Sequence, residues 1–383
     1  MALVPMLSVG SCMALSVAAG ILNYRGDARD AAAARSDAGL HRPLASTSGR
    51  ILFLVETAMA YDTYLVNADG TGVVRLTQTP PTPRRYPGPA VVSPDGTRMA
   101  VVRDDGISLV RIDRPGDTTR LRGPSGWLAW SPDGEQLASL SMDAEKRLHL
   151  TVFAADGGGE IRDLATTWPS IAEGYEQSAS ELRWSPDGKR FAFVVRTVLA
   201  KSARGAYRSR NDLYIAPSDG SDLTNVSRGN ADVLVAGDLA WSPDGARLAF
   251  GSGRGIGTID MALRWTDFAI QMHESRTKQR PTWSPDSRRL AWFNRDSIVT
   301  SNPDGGGQQE LTKGRDAGVQ PAWSPDGSRL AFACDEFRAL CVMHVDGSGL
   351  TRVVGVSSGA AVFERGAQRI SFPVWLPSSS TPP

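Results

Sequence analysis

Residues that carry chemistry are scarce in this sequence. Its 383 residues include four histidines, His41, His149, His273 and His344, which are scattered and share none of the spacings that a zinc site requires. His149 and His344 read as strand residues and His273 as part of an irregular stretch. No Gly-x-Ser-x-Gly run occurs, so the nucleophile elbow of a hydrolase is missing. The glycine-rich stretch 251–257 has no phosphate-loop lysine and opens no helix, which leaves a flexible loop rather than a nucleotide cradle. An excess of one charge is missing too: 42 Lys and Arg stand against 41 Asp and Glu. The net charge of +1 gives no whole-molecule field to attract nucleic acid. No cofactor is expected.

Cysteine is as sparse, with three residues. Cys12 lies in the uncharged stretch 3–22, close to the ~20 apolar residues needed to cross a bilayer. Residues 1–22 therefore read either as a signal peptide, with Val17-Ala18-Ala19 as a processing site, or as a membrane anchor if uncleaved. A lipid on Cys12 is a third reading, although no Lys or Arg precedes the run. Each places the protein outside the cytoplasm, in the periplasm or on the cell surface. Residues 23–49, rich in Ala, Arg, Asp and Ser without an apolar period, read as a flexible tether. Cys334 and Cys341 flank "DEFRAL". A hairpin centred between Phe337 and Arg338 places them opposite each other, predicting a disulfide in an exported protein and two buried thiols otherwise.

What the chain has in abundance is one repeated phrase. It reads "VVSPDGTRMAVV", "AWSPDGEQLASL", "RWSPDGKRFAFV", "AWSPDGARLAFG", "TWSPDSRRLAWF" and "AWSPDGSRLAFA", with serines 93, 131, 185, 242, 284 and 324. The spacings of 38, 54, 57, 42 and 40 residues suit one small sheet per copy. In "SPDG", Ser opens the turn, Pro presets φ, Asp accepts a local hydrogen bond and Gly tolerates positive φ. A second turn, "xDG", recurs between the third and fourth strands of a copy. It offers one carboxylate, too few oxygens for calcium. Four short strands per copy, apolar on both faces, predict an all-β propeller with Trp130, Trp184, Trp241, Trp283 and Trp323 as wedges between blades. Residues 50–77 supply three strands without a first, and "SFPVWLP" around Trp375 supplies a first strand alone. Their pairing gives seven blades over 50–377 and a short tail at 378–383; six is the alternative if "SFPVWLP" stays outside the sheet.

The "PxWSPDGxxLAF" pattern resembles the repeats of the TolB family, a bacterial branch of the WD-like propellers, over nearly everything beyond the tether. The resemblance implies the fold. Such propellers occur in envelope proteins, in peptidases and in polysaccharide lyases, so the function must come from the site. The "SPDG" turns share a uniform face; the other face carries the variable loops, where binding is expected. Candidates there are Arg84, Arg85 and Tyr86 in one blade link, and Trp168, Glu173 and Tyr175 in another. The inserted stretch 196–212 adds Lys201, Arg204, Tyr207, Arg208 and Arg210, followed by Arg254 in the glycine-rich loop. The expected function is a non-catalytic, monomeric binding propeller of the bacterial envelope, contacting a protein or a glycan. The rival is a propeller enzyme such as a polysaccharide lyase.

Overall fold

The computed structural model describes residues 49–377 apart from 58–60, 78–89, 104–105, 124–125, 144, 146, 159, 165–175, 202–206, 228–234, 253–254, 262–270, 275–279, 295–296, 313–318 and 357–366. The leader, all but the last residue of the tether, and the tail lie outside the described residues, as does His41. Every regular element among the described residues is a strand.

The first three strands are β1 (Arg50–Thr57), β2 (Tyr61–Asn67) and β3 (Val74–Arg75). Blade 2 holds β4 (Val91–Val92), β5 (Arg98–Arg103), β6 (Gly106–Arg111) and β7 (Thr118–Leu121). Blade 3 holds β8 (Trp127–Trp130), β9 (Gln136–Met142), β10 (Leu148–Ala154) and β11 (Glu160–Asp163). Blade 4 has the longest strands: β12 (Glu176–Trp184), β13 (Arg190–Lys201), β14 (Tyr207–Pro217) and the short β15 (Thr224–Asn225). Blade 5 comprises β16 (Val235–Trp241), β17 (Arg247–Ser252), β18 (Gly255–Asp260) and β19 (Gln271–Glu274). Blade 6 comprises β20 (Thr282–Trp283), β21 (Leu290–Asn294), β22 (Ser297–Ser301) and β23 (Gln309–Glu310). Blade 7 comprises β24 (Val319–Trp323), β25 (Arg329–Cys334), β26 (Ala339–His344) and β27 (Thr351–Gly355), and the last strand is β28 (Ala367–Trp375).

Seven four-stranded antiparallel sheets result, six from consecutive strands and one in the order β28-β1-β2-β3. The composite blade 1 therefore closes the ring, with Ile51 opposite Trp375 and Val55 opposite Ile370. Closure leaves no long sheet edge open at the chain ends. First strands of successive blades touch one another, β4 with β8, β8 with β12, and onward through β16, β20 and β24 to β28. The first strands thus surround the axis.

Each sheet is apolar on both faces because a neighbour covers each face. Leu140, Leu150 and Val152 of blade 3 pack on Phe191, Phe193 and Val195 of blade 4. Ile51 and Phe53 of blade 1 pack on Leu340 and Val342 of blade 7. Phe53, Phe153, Phe191, Phe193, Phe250 and Phe332 are wholly buried, each contributing about 2–3 kcal/mol by area removed from water.

The six turn serines are buried, and each hydroxyl donates to the aspartate two residues on, as Ser93 does to Asp95 at 2.5 Å. The backbone N–H of Arg98 donates back to Ser93 Oγ at 3.0 Å. The turn glycines hold φ near 70°, and in "SPDS" Ser287 takes the same position at φ 61°.

The wedge tryptophans add a hydrogen-bonded ladder between blades. Trp130 Nε1 donates to Val91 O of blade 2, Trp283 to Ala240 O of blade 5, Trp323 to Thr282 O of blade 6 and Trp375 to Ala322 O of blade 7. Each acceptor directly precedes the wedge position of the previous blade. The ladder breaks on both sides of blade 4: Trp184 Nε1 turns back to Gly188 O of its own hairpin, and Trp241 Nε1 is buried without a partner among the described residues.

Four local expectations are corrected. The hairpin after Cys334 turns at Asp335–Phe337, all three at positive φ. Its register sets Cys334 opposite Ala339 and Phe332 opposite Cys341. The cysteines are therefore diagonal neighbours, with Cα atoms 5.9 Å apart, and they form the disulfide. Of the glycine-rich stretch, Gly251 and Ser252 belong to β17 and Gly255, Ile256 and Gly257 to β18, with Gly251 opposite Ile256, and His273 lies in β19. Most of the basic insertion is not loop either, because β13 and β14 extend into it, pairing Thr197 with Arg210 and Lys201 with Tyr207.

Candidate functional site

The side chains of an inner strand in a regular propeller face the neighbouring blades, since successive residues alternate between the two sheet faces. A bulge is needed to turn one toward the axis. Such bulges recur three residues before the wedge tryptophan. Glu181, Asp238, Arg280, Gln320 and Phe372 hold this place in blades 4, 5, 6, 7 and 1, all with φ between 36° and 60°. Ladder irregularities mark four of them, at Ser180/Leu182, Gly237/Ala240, Val319/Ala322 and between Ser371 and Val374. Left-handed backbone at a non-glycine residue costs roughly 1–3 kcal/mol, and its repetition in one column points to a functional requirement.

Contacts confirm the direction. The Arg280 guanidinium lies 4.3 Å from the centre of the Phe372 ring, although blade 7 stands between blades 6 and 1. Two side chains separated by a blade meet inside the central channel. Arg280 Nε also pairs with Asp238 Oδ1 at 3.2 Å. Gln320 Oε1 accepts the Phe372 backbone N–H at 2.6 Å. Arg183 Nη2 is 3.0 Å from Glu181 Oε2 without an aligned hydrogen bond, and its guanidinium donates to Leu239 O and Leu182 O. Five positions thus form a linked polar arc around the axis.

Burial pushes the Asp238 carboxyl upward, and the nearby Glu181 charge adds to the shift; Arg280 and Arg183 oppose it. Trp127 holds the equivalent position in blade 3, and its indole donates to Ala179 O of blade 4 at 3.1 Å. No cluster of three or more metal-ligating side chains occurs among the described residues.

A second titratable cluster lies in blade 3 between β9, β10 and β11. His149 Nδ1 meets Asp163 Oδ2 at 2.5 Å and its Nε2 meets Asp143 Oδ2 at 3.0 Å. These bonds, Asp143 first, raise the imidazole above its ordinary value, and His149 in turn holds Asp143 far below the carboxylate range.

Of the sequence candidates, Arg84, Arg85, Tyr86, Trp168, Glu173, Tyr175, Arg204 and Arg254 lie outside the described residues. Lys201, Tyr207 and Arg208 are placed in β13 and β14 by backbone alone. Arg210 is exposed and pairs through Nε with Asp212 Oδ2 at 2.8 Å. None of the described candidates belongs to the channel arc. The signal for the arc was present in the copies themselves: aligned on the wedge tryptophan, they carry Glu, Asp, Arg, Gln and Phe in one column three residues before it.

Turn chemistry, the seven blades and the closing β28 now stand together. The fold is a TolB-like seven-bladed propeller. Solved structures similar to it include TolB from Acinetobacter baumannii, at 16% identity and a TM-score of 0.47, covering 86% of this chain and 67% of that one. The oligogalacturonate lyase of Vibrio parahaemolyticus matches at 13% identity and a TM-score of 0.53, covering 74% and 82%. The periplasmic gluconolactonase PpgL of Pseudomonas aeruginosa matches at 15% and 0.51, covering 85% and 99%. At these identities the likeness concerns the fold alone, and the last two carry different chemistries on it. No protein-family model and no curated protein sequence matches the chain.

Proposed function

We propose that this TolB-like propeller is an exported, non-catalytic binding module of the bacterial cell envelope that docks a protein partner over the face opposite the "SPDG" turns. The observation that carries this reading is the channel arc. Its charged groups are tied to one another and to backbone carbonyls, which makes a rigid, preorganised surface for recognition. Export is supported by the uncharged leader and by the Cys334–Cys341 disulfide, a bond that persists in oxidising compartments. The rival is a propeller enzyme acting on a glycan, and the two carboxyl side chains of Asp238 and Glu181 near each other in the channel, the first raised by its burial, favour it.

Photo-crosslinking in intact cells separates the two. A crosslinker at exposed Glu336, in the β25–β26 hairpin, reports on the proposed docking face; one at Ser328, at the opposite end of β25, reports on the "SPDG" face. The binding reading expects a partner captured from Glu336 and not from Ser328. Capture from Ser328 alone, or turnover of an envelope polysaccharide by the pure protein, overturns it.

A further inference from the structure

We infer that the channel arc is a receptor for a ligand carboxylate, held by the Arg280 guanidinium and the Gln320 amide. This deepens the binding reading and rests on it. Four charged side chains meet here, and their donors are unequally used. Arg183 is spent on its neighbours: its guanidinium serves two backbone carbonyls and Glu181. Among the described residues Arg280 meets a carboxylate only through Nε, at Asp238, and its side chain keeps 37% of its surface open. Its plane is fixed by the ion pair with Asp238 at one edge and by the Phe372 ring beneath it. A guanidinium so held is a preorganised fork that can bridge two carboxylates, one resident and one incoming.

Gln320 supplies the second donor. Its Oε1 is committed to the Phe372 N–H, which turns the amide –NH2 away from that contact. Asp238 and Glu181 are acceptors, but each already faces a guanidinium. Glu181 Oε2 lacks an aligned hydrogen bond but is buried, as is Asp238, so the groups that the arc leaves open to the channel are the N–H donors of Arg280 and Gln320, and the chemistry they lack is an oxyanion. The planar fork suits a carboxylate, whose two oxygens it meets with parallel hydrogen bonds. Such a group is offered by an acidic sugar or by the free end of a peptide.

Calorimetric titration of the full chain with defined probes tests this. The probes are sodium D-galacturonate with D-galactose as its neutral analogue, and the peptide acetyl-Ala-Ala-Ala with a free carboxylate or as its amide. One carboxylate probe is expected to bind and its neutral analogue to bind at least about tenfold more weakly, the ratio of one charged hydrogen bond. Which pair responds identifies the source. Arg280→Gln should abolish binding, and Arg280→Lys should weaken it about tenfold by losing the fork. Gln320→Glu keeps the acceptor for Phe372 and replaces the donor by a negative oxygen, so it lowers affinity in a propeller whose melting temperature is unchanged. Equal binding of neutral and charged probes, no binding of either carboxylate, or full affinity in folded Arg280→Gln overturns the inference. Partner capture at Glu336 with no carboxylate binding would leave the docking reading standing and remove this one.

Discussion

Trp241 and Trp283 offer a matched pair for measuring the blade ladder. Both are inner-strand wedges, 9% and 6% exposed. Trp283 Nε1 donates to Ala240 O at 2.9 Å, whereas Trp241 Nε1 is buried and unpartnered among the described residues. Replacing either by Phe removes the same part of the indole and leaves a similar void, so the packing losses cancel in the comparison. Trp283→Phe also forfeits an inter-blade hydrogen bond and exposes its acceptor to an apolar neighbour. Trp241→Phe instead removes an unsatisfied donor whose burial already costs stability. A buried group without its partner costs about 1–3 kcal/mol, so Trp283→Phe should be the less stable variant by that amount. With an unfolding entropy of about 2.1 cal/mol/K per residue, the difference corresponds to roughly 1.5–4 °C in a propeller of this size. Scanning calorimetry at one pH on both variants measures it. A Trp241→Phe protein that melts at or below Trp283→Phe would refute the ladder as a source of stability.

Three further outcomes are expected. His149 is held as a cation between Asp143 and Asp163, so its folded pKa lies above the ordinary ~6.5. The stability it adds is complete below about pH 6.5 and declines as pH rises through the raised value. The melting difference between wild type and His149→Ala should shrink as pH rises above about 6.5, and a growing difference would contradict the cluster. The double variant Cys334→Ser/Cys341→Ser should lose about 2 kcal/mol, the loop-closure value for a bridge of sequence separation 7, read by urea unfolding without reductant. Deleting residues 367–383 removes β28 and leaves β1 unpaired on one side. Size-exclusion chromatography should then show association through the open edge; a monodisperse monomer would mean that β28 is dispensable.

The architecture was legible because its causes are local. A Ser-Pro-Asp-Gly turn forms from four adjacent residues, and six copies at blade spacing leave few alternatives to a ring. Even the closing blade could be inferred, since residues 50–77 lack a first strand and the segment around Trp375 lacks a second. The Cys334–Cys341 pairing was legible as well, though not its register, which depends on three consecutive positive-φ residues that sequence alone does not reveal. The insertion at 196–212 looked like loop because its charges conceal continued ladder pairing between β13 and β14.

The channel arc belongs to the other class. Sequence determined which residues stand three before each wedge: Glu181, Asp238, Arg280, Gln320 and Phe372. Strand alternation by itself would bury them between blades. The tertiary structure decided otherwise, because a bulge with left-handed backbone rotates each toward the axis, and ring closure brings Arg280 of blade 6 over Phe372 of blade 1. Turns follow from neighbours in the chain. A site shared by five blades exists only once the ring has closed.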